Sequence, residues 1–161
     1  MLRSDYTTQN CSIAGALELV GERWTLLVLR DVFLGVRRFD ALQRELGVAR
    51  NVLASRLDRL VAEGLLKKIP YQERPLRNEY RLTEKGLDLW PVIVELMHWG
   101  DRHLAEQGPP IVIRHRGCGG RLGERRICER CGEPLGVRDV RAEPGPGAVA
   151  ADAPPRRAIS G

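Results

Sequence analysis

No stretch of this 161-residue sequence approaches the roughly 18 consecutive apolar residues that a membrane-spanning helix needs. The opening segment MLRSDYTTQN also lacks the apolar run of a secretion signal. The chain is therefore expected to be cytoplasmic, with no membrane partner. A phosphate-binding glycine loop, a dinucleotide fingerprint and a convergent set of nucleophile, acid and base are all missing, so no enzymatic activity is expected. Cysteine is scarce too. Four cysteines in a reducing compartment point to metal ligands or reactive thiols before a disulfide framework.

What the chain does have is positive charge, formally +5 with a pI near 9.4. That balance favours a polyanionic partner, although many solvated surfaces are basic. The length suits one ordinary domain and a small satellite. Residues 1–10 read as a flexible N-terminus, 11–107 as the main domain, 108–141 as a metal-binding module and 142–161 as a disordered tail.

The informative stretch runs from Phe39 to Leu82. Phe39, Leu42 and Leu46 form the narrow stripe of a short helix, and Gly47-Val48-Ala49 makes a turn. A second helix from Arg50 to Glu63 buries Leu53, Leu57, Leu60 and Val61, and Gly64 stops it. Its opposite face carries Arg50, Asn51, Ser55, Arg56 and Arg59. Arg and Asn can contact guanine and adenine edges bidentately, and Ser suits phosphate or either base. On its own such a face reads first as a solvated one, and its place as second helix before a hairpin turns the reading towards a groove. Ala49 occupies the cap position, where it typically costs ~1 kcal/mol relative to Ser or Thr, so the first turn is expected to be loose until phosphate binds. Two strand-like runs follow, Leu65 to Tyr71 and Asn78 to Leu82, around a tip shaped by Pro75 and flanked by Arg74 and Arg77. Pro70 marks a strand edge or end, because proline cannot donate to a ladder. Helix, turn, helix and hairpin in that order predict a winged helix-turn-helix, mainly α with a small β-hairpin wing. The wing would lie along a phosphate backbone or in a narrow minor groove.

Flanking helices supply the frame. Ser12 is a plausible cap for a helix through Val20, with Ile13, Ala16, Leu17 and Val20 on one face. Trp24 to Phe33 is apolar nearly all round, so it should be the central helix, with Gly35 closing it and Arg37 and Arg38 just beyond, both expected among the DNA contacts. Thr83 caps the next segment, and Pro91 either kinks a helix or starts a new one. From Pro91 onward Ile93, Leu96, Met97, Gly100 and Leu104 mark a stripe wider than one small domain requires. A homodimer interface would explain the surplus and suits a palindromic operator whose half-sites lie about one helical turn apart, with an ordinary core helix as the alternative.

Several spaced blocks resemble the HxlR family of bacterial winged-helix regulators. They are Cys11-Ser-Ile-Ala, the run Gly21-Glu-Arg-Trp24 to Asp31, Gly35-Val-Arg-Arg38-Phe39, Leu53-Ala-Ser-Arg56-Leu57 and Tyr80-Arg-Leu-Thr-Glu-Lys-Gly86. The resemblance spans roughly residues 11 to 104. It implies a dimeric regulator that binds double-stranded DNA, related in fold to MarR-type repressors. The helix from Arg50 would be the recognition helix, Lys67 to Arg81 the wing, and the terminal helices the dimer contact. The family's usual capping Ser is replaced here by Ala49. In some members a cysteine at the position of Cys11 senses oxidants, and a helix N-terminus favours the reactive thiolate. An inert Cys11 is the alternative.

The tail carries a second pattern. His115-x-x-Cys118 and Cys128-x-x-Cys131-Gly132 form two close pairs separated by nine residues, each able to grip one side of a tetrahedral Zn²⁺. Gly117, Gly119, Gly120 and Gly132 permit tight knuckle turns. Ile111 to Arg114 and Leu135 to Val140 read as flanking strands, and the whole resembles a zinc ribbon. Four protein donors leave no position for catalytic water, so the zinc would be structural. A redox dithiol at Cys128 and Cys131, or His115 as a bystander, stays open. The leading expectation is a sequence-specific regulator with a possible small-molecule or redox effector. The alternatives are a protein-interaction adaptor and a small thiol redox protein.

Overall fold

The apolar spacings become helices where they were expected, with ends moved by local capping chemistry. The structure, a computed structural model, describes residues 11–146. Helix α1 (Ser12–Val20) starts with Cys11 extended at the cap position and no side-chain cap, so Ser12 lies inside the helix and does not cap it. Gly21 ends α1 by donating its amide to Leu17 O at 2.7 Å. Only Ala14 and Val20 of α1 are buried, and Ile13 is 71% exposed. Helix α2 (Thr25–Phe33) begins one residue later than expected, with Trp24 at φ 115° in its cap position. It is the central helix: Val28, Leu29, Val32 and Phe33 are buried, and Phe33 meets Trp90 with ring centroids 5.5 Å apart.

Helix α3 (Phe39–Leu46) and helix α4 (Arg50–Ala62) are joined by a turn through Gly47, whose φ of 60° places it where glycine is favoured. Leu42 of α3 and Leu53, Leu57 and Leu60 of α4 are buried against α2 and the hairpin. Ala49 is extended at the cap and makes no side-chain hydrogen bond.

The hairpin is longer than its composition suggested. Strand β1 (Leu66–Glu73) pairs antiparallel with β2 (Leu76–Leu82), from Leu66 opposite Leu82 to Glu73 opposite Leu76, which leaves a tip of Arg74 and Pro75. Pro70 lies inside β1, opposite Asn78, with the register slipping between Pro70 and Gln72. A two-stranded ribbon has two outer edges, so the missing proline amide costs little there. Arg38 bridges to Glu79, and Tyr80 donates its amide to Arg37 O at 2.8 Å, pinning the α2–α3 connection to the wing base.

Thr83 Oγ1 accepts from the Gly86 amide and starts the single turn α5 (Glu84–Leu87). A side chain at Gly86 would meet Leu65 O at 2.2 Å, so only glycine lets α5 lie on the hairpin base. Pro91 then sits in the first turn of a new helix, α6 (Trp90–His103), which settles that it starts a helix. The buried face of α6 is Trp90 and Val94, with Ile93 and Met97 partly covered. Leu96 and Leu104 are exposed, as are Val92 and Trp99, which the expected stripe did not include.

Beyond α6 a smaller two-stranded sheet forms. Strand β3 (Ile111–His115) pairs antiparallel with β4 (Val140–Pro144). The strand expected over Leu135 to Val140 is instead a turn and one 3-10 turn, Val137–Asp139, capped where Gly136 donates to the Asp139 carboxylate at 2.8 Å. Strand structure therefore starts at Val140 and continues through Ala142, Glu143 and Pro144, past the expected boundary at 141. Main-chain pairing with β3 secures these residues, which composition alone assigns to the tail. Residues 1–10, expected to be a flexible N-terminus, and the expected disordered tail from 147 onward lie outside the described residues. Ile113, Leu122, Cys128, Leu135 and Val140 of the module belong to the same buried cluster as Val94 and Trp90, so the two cores are continuous.

Candidate functional site

The polar face of α4 divides into two parts. Arg50, Asn51 and Ser55 are exposed near its first turns. The Arg50 guanidinium lies 4.6 Å over the Phe39 ring and reaches Asp40 at 3.4 Å. Arg56 and Arg59, which helical spacing puts on the same polar face, both turn towards Glu22. Arg56 ion-pairs with Glu22, whose other oxygen accepts from Arg59 at 3.3 Å, and Arg59 also donates to Glu18 O. These two arginines clamp α4 to the end of α1 and the turn before α2. At the wing, Arg74 and Arg77 are exposed at the tip beside Leu76, itself 65% exposed. Arg38 stacks over Tyr71 at 4.3 Å, placing a cation along β1. Lys68 reaches Asp58 at 2.8 Å and ties the wing to α4.

The central helix also carries a buried acid. Asp31 on α2 is 4% exposed; its Oδ1 pairs with Arg30 at 2.8 Å, and its Oδ2 has no partner. Burial raises its pKa above the ordinary carboxylate value despite the neighbouring guanidinium.

The tail pattern converges into one cluster. The ligand atoms of His115, Cys118, Cys128 and Cys131 all lie within 4.8 Å of one another. His115 Nδ1 is 3.2 Å from Cys118 Sγ and 3.5 Å from Cys131 Sγ, while Cys118 Sγ is 3.3 Å from Cys128 Sγ and 3.6 Å from Cys131 Sγ. Metal–sulfur bonds of about 2.3 Å give tetrahedral edges of about 3.7 Å, so the donor set is compatible with Zn²⁺. Each pair sits on a turn closed by a glycine amide: Gly119 donates to His115 O and Gly132 to Cys128 O, both at 2.9 Å. A Cβ at Gly120 would stand 2.5 Å from Cys128 Sγ, so glycine makes room for that sulfur. Burial pushes the Cys128 thiol up, but the amides of Cys131 and Arg130 and the neighbouring thiols outweigh it and bring it down to about 6. At Cys131 the Glu133 amide pulls the thiol down, yet burial and the Cys128 and Cys118 sulfurs together raise it. One sulfur thus carries charge ahead of the others, as close-packed acids must.

A family model described as HxlR-like helix-turn-helix matches residues 19–108. The chain belongs to the HxlR family. An HTH-type transcriptional regulator of Mycobacterium tuberculosis is 56% identical over 137 residues, covering 84% of this chain and 87% of that protein. The solved structure of PA1607, a proposed transcription factor, superposes with a TM-score of 0.59 at 30% identity, over 92% of this chain and 95% of that one. The oxidised redox regulator HypR superposes at 0.54 with 26% identity, over 58% of this chain and 97% of that one. The protein is thus an HxlR-family transcriptional regulator with a helix-turn-helix DNA-binding domain and a winged-helix fold. No helix among the described residues is long and apolar enough to cross a membrane.

Within this HxlR chain, His115, Cys118, Cys128 and Cys131 lie together in one cluster. Cys11 stays apart, exposed at the start of α1. Sequence reasoning missed Glu22, whose partners come from a helix that starts 28 positions later, and Leu76, which the loop-like composition of the tip concealed. Its only advance signal was an apolar residue between Pro75 and Arg77.

Proposed function

We propose that the chain acts as a homodimer on a palindromic operator, with α4 in the major groove and the β1–β2 wing on the flanking backbone or minor groove. The observation that carries this is the joint exposure of Arg50, Asn51 and Ser55 with an arginine-tipped wing on one family-typed reading head. Asn51, Arg50 and Ser55 take base edges, Arg74 and Arg77 take phosphates or the minor groove, and Arg37 and Arg38 support the wing base. Arg56 and Arg59 act first as clamps on Glu22. The dimer is supported by the apolar surface that α1 and α6 leave uncovered, Ile13 and Leu17 on one and Val92, Leu96 and Trp99 on the other. Such a patch on a single chain marks an interaction surface.

His115, Cys118, Cys128 and Cys131 hold a structural Zn²⁺ in this reading, fixing the two knuckles together. Cys11, exposed at the start of α1, is a second, thiol-based input, supported by the likeness to a redox regulator. The deciding experiment is a footprint on the chain's own upstream region across a salt series, with sedimentation of the free protein. A two-fold symmetric protection that weakens steeply with salt, from a protein that sediments as a dimer, supports the regulator. Salt-sensitive binding without any sequence preference turns the reading towards a protein-interaction adaptor.

A further inference from the structure

The His/Cys cluster presents its three sulfurs unequally. Cys131 is exposed on the module surface, Cys118 is half-covered, and Cys128 is buried with 1% of its surface accessible. A metal thiolate is a nucleophile towards peroxides, and the exposed sulfur meets the oxidant first. The sulfur of Cys118 lies 3.6 Å away, close enough to resolve a sulfenic acid with a small side-chain movement. Arg130 anchors the backbone on the Cys118 side by donating to Cys118 O at 2.7 Å, so the two arms meet at a braced point.

We infer that the cluster is a second thiol-oxidation site, at which a hydroperoxide converts Cys131 and Cys118 to a disulfide and frees the bound ion. This rests on the metal-site reading above. In the first step Cys131 Sγ attacks the peroxide O–O bond: the sulfur is oxidised to sulfenic acid, and the leaving oxygen takes a proton and departs as water, or as an alcohol from an organic peroxide. Cys118 Sγ then displaces the sulfenic oxygen, which leaves as a second water after protonation. The balance is two thiolates, one hydroperoxide and two protons giving one disulfide and two oxygen products. Only His115 and Cys128 then remain as donors, too few to keep the ion. Cys128, closed inside the continuous core, is left a thiol or thiolate and is not the residue attacked. The site is separate from Cys11, which carries no partner sulfur in the cluster.

The test uses the full-length chain carrying Cys11→Ser, so that the helix α1 thiol cannot contribute. Zinc content is measured first, then hydrogen peroxide is titrated in while a chromophoric chelator reports freed metal and peptide mapping under non-reducing conditions locates any disulfide. The expected result is one zinc per chain at the start, about one zinc freed per peroxide consumed, and a Cys118–Cys131 linkage. Cys131→His keeps four donors while removing the exposed sulfur; it should retain zinc and release it at least about tenfold more slowly under the same peroxide. Protein purified without zinc overturns the metal reading, and the oxidation site with it. Protein that holds zinc but keeps it under peroxide, or forms a disulfide to Cys128, overturns the oxidation site alone. So does Cys131→His releasing zinc as fast as the parent.

Discussion

Replacing Glu22 with Gln tests the internal clamp on the recognition helix. Glu22 is the shared partner of Arg56 and Arg59, and the Arg56 pairing is made through Nη1 while its buried Nε has no hydrogen-bond partner. The Arg56 side chain is 23% exposed, while Glu22 and Arg59 are each 39% exposed, so solvent screens part of the pairing. Loss of a charged hydrogen-bond partner at a part-buried site costs on the order of 1–3 kcal/mol, and screening places this case in the lower half. For a chain of this size that lowers Tm by roughly 2–8 °C. A second effect runs the other way. Two arginines lose their internal anion and become available to phosphates, each steepening the plot of log affinity against log salt by about 0.9. Urea or thermal unfolding reads the first effect, and fluorescence anisotropy on an operator fragment across a salt series reads the second. An unchanged unfolding midpoint in Glu22→Gln would refute the clamp. A lower midpoint with an unchanged salt slope would keep the clamp and remove both arginines from the DNA interface.

Three further outcomes are expected. Asn51→Ala should cost roughly 1–3 kcal/mol at one base position and relax preference there, whereas Arg74→Ala should weaken every sequence alike and reduce the salt slope by about 0.9; competition against single-base operator variants separates them. Asp31 gives a pH dependence. Burial holds its folded-state pKa above the ordinary 3.8, so across that window the folded chain keeps a proton that the unfolded chain has released. Its contribution to stability is therefore present below pH 3.8 and declines as pH rises through the elevated pKa. The difference in urea midpoint between the parent and Asp31→Asn should follow that slope, and a parallel pair of profiles would contradict it. Dialysis against a strong chelator should lower the Tm of the parent, and Cys128→Ser should show the lower value from the start; a chelator-insensitive Tm would argue against a structural metal.

The helices were legible because each rests on a local pattern: Leu53, Leu57 and Leu60 repeat at helical spacing and are buried where that spacing put them. The His/Cys cluster was legible for the same reason, since two tight pairs with knuckle glycines need only one fold-back to meet. What escaped depends on partners far apart in the chain. Gln72, Glu73, Leu76 and Arg77 read as a loop, yet each ladders across the hairpin, a choice made by main-chain pairing and not by side-chain type. Ala142 to Pro144 looked like tail until β3 supplied an edge. The polar face of α4 gave no sign that Arg56 and Arg59 are taken by Glu22. Helical spacing tells which way a side chain points, not what waits there.

Ala49 connects the fold to the function most directly. A Ser or Thr at that position would place an oxygen on the free amides of the first turn of α4; Ala49 leaves them without a side-chain cap. The turn is steadied from the side instead, by Arg50 stacked on Phe39 and reaching Asp40 across the α3–α4 corner. These contacts are exposed, with Arg50 71% and Asp40 74% accessible, so they steady the turn weakly and leave its amides open. Open amides at a helix N-terminus, carrying the positive end of the helix dipole, donate readily to a phosphate oxygen. Ala49→Ser should therefore stabilise the free protein by about 1 kcal/mol, while its hydroxyl competes with phosphate for the same amides. The expected outcome is a higher Tm with operator affinity unchanged or reduced. If affinity rose in step with stability, the first turn would not be a phosphate site, and Ala49 would simply be a weak cap.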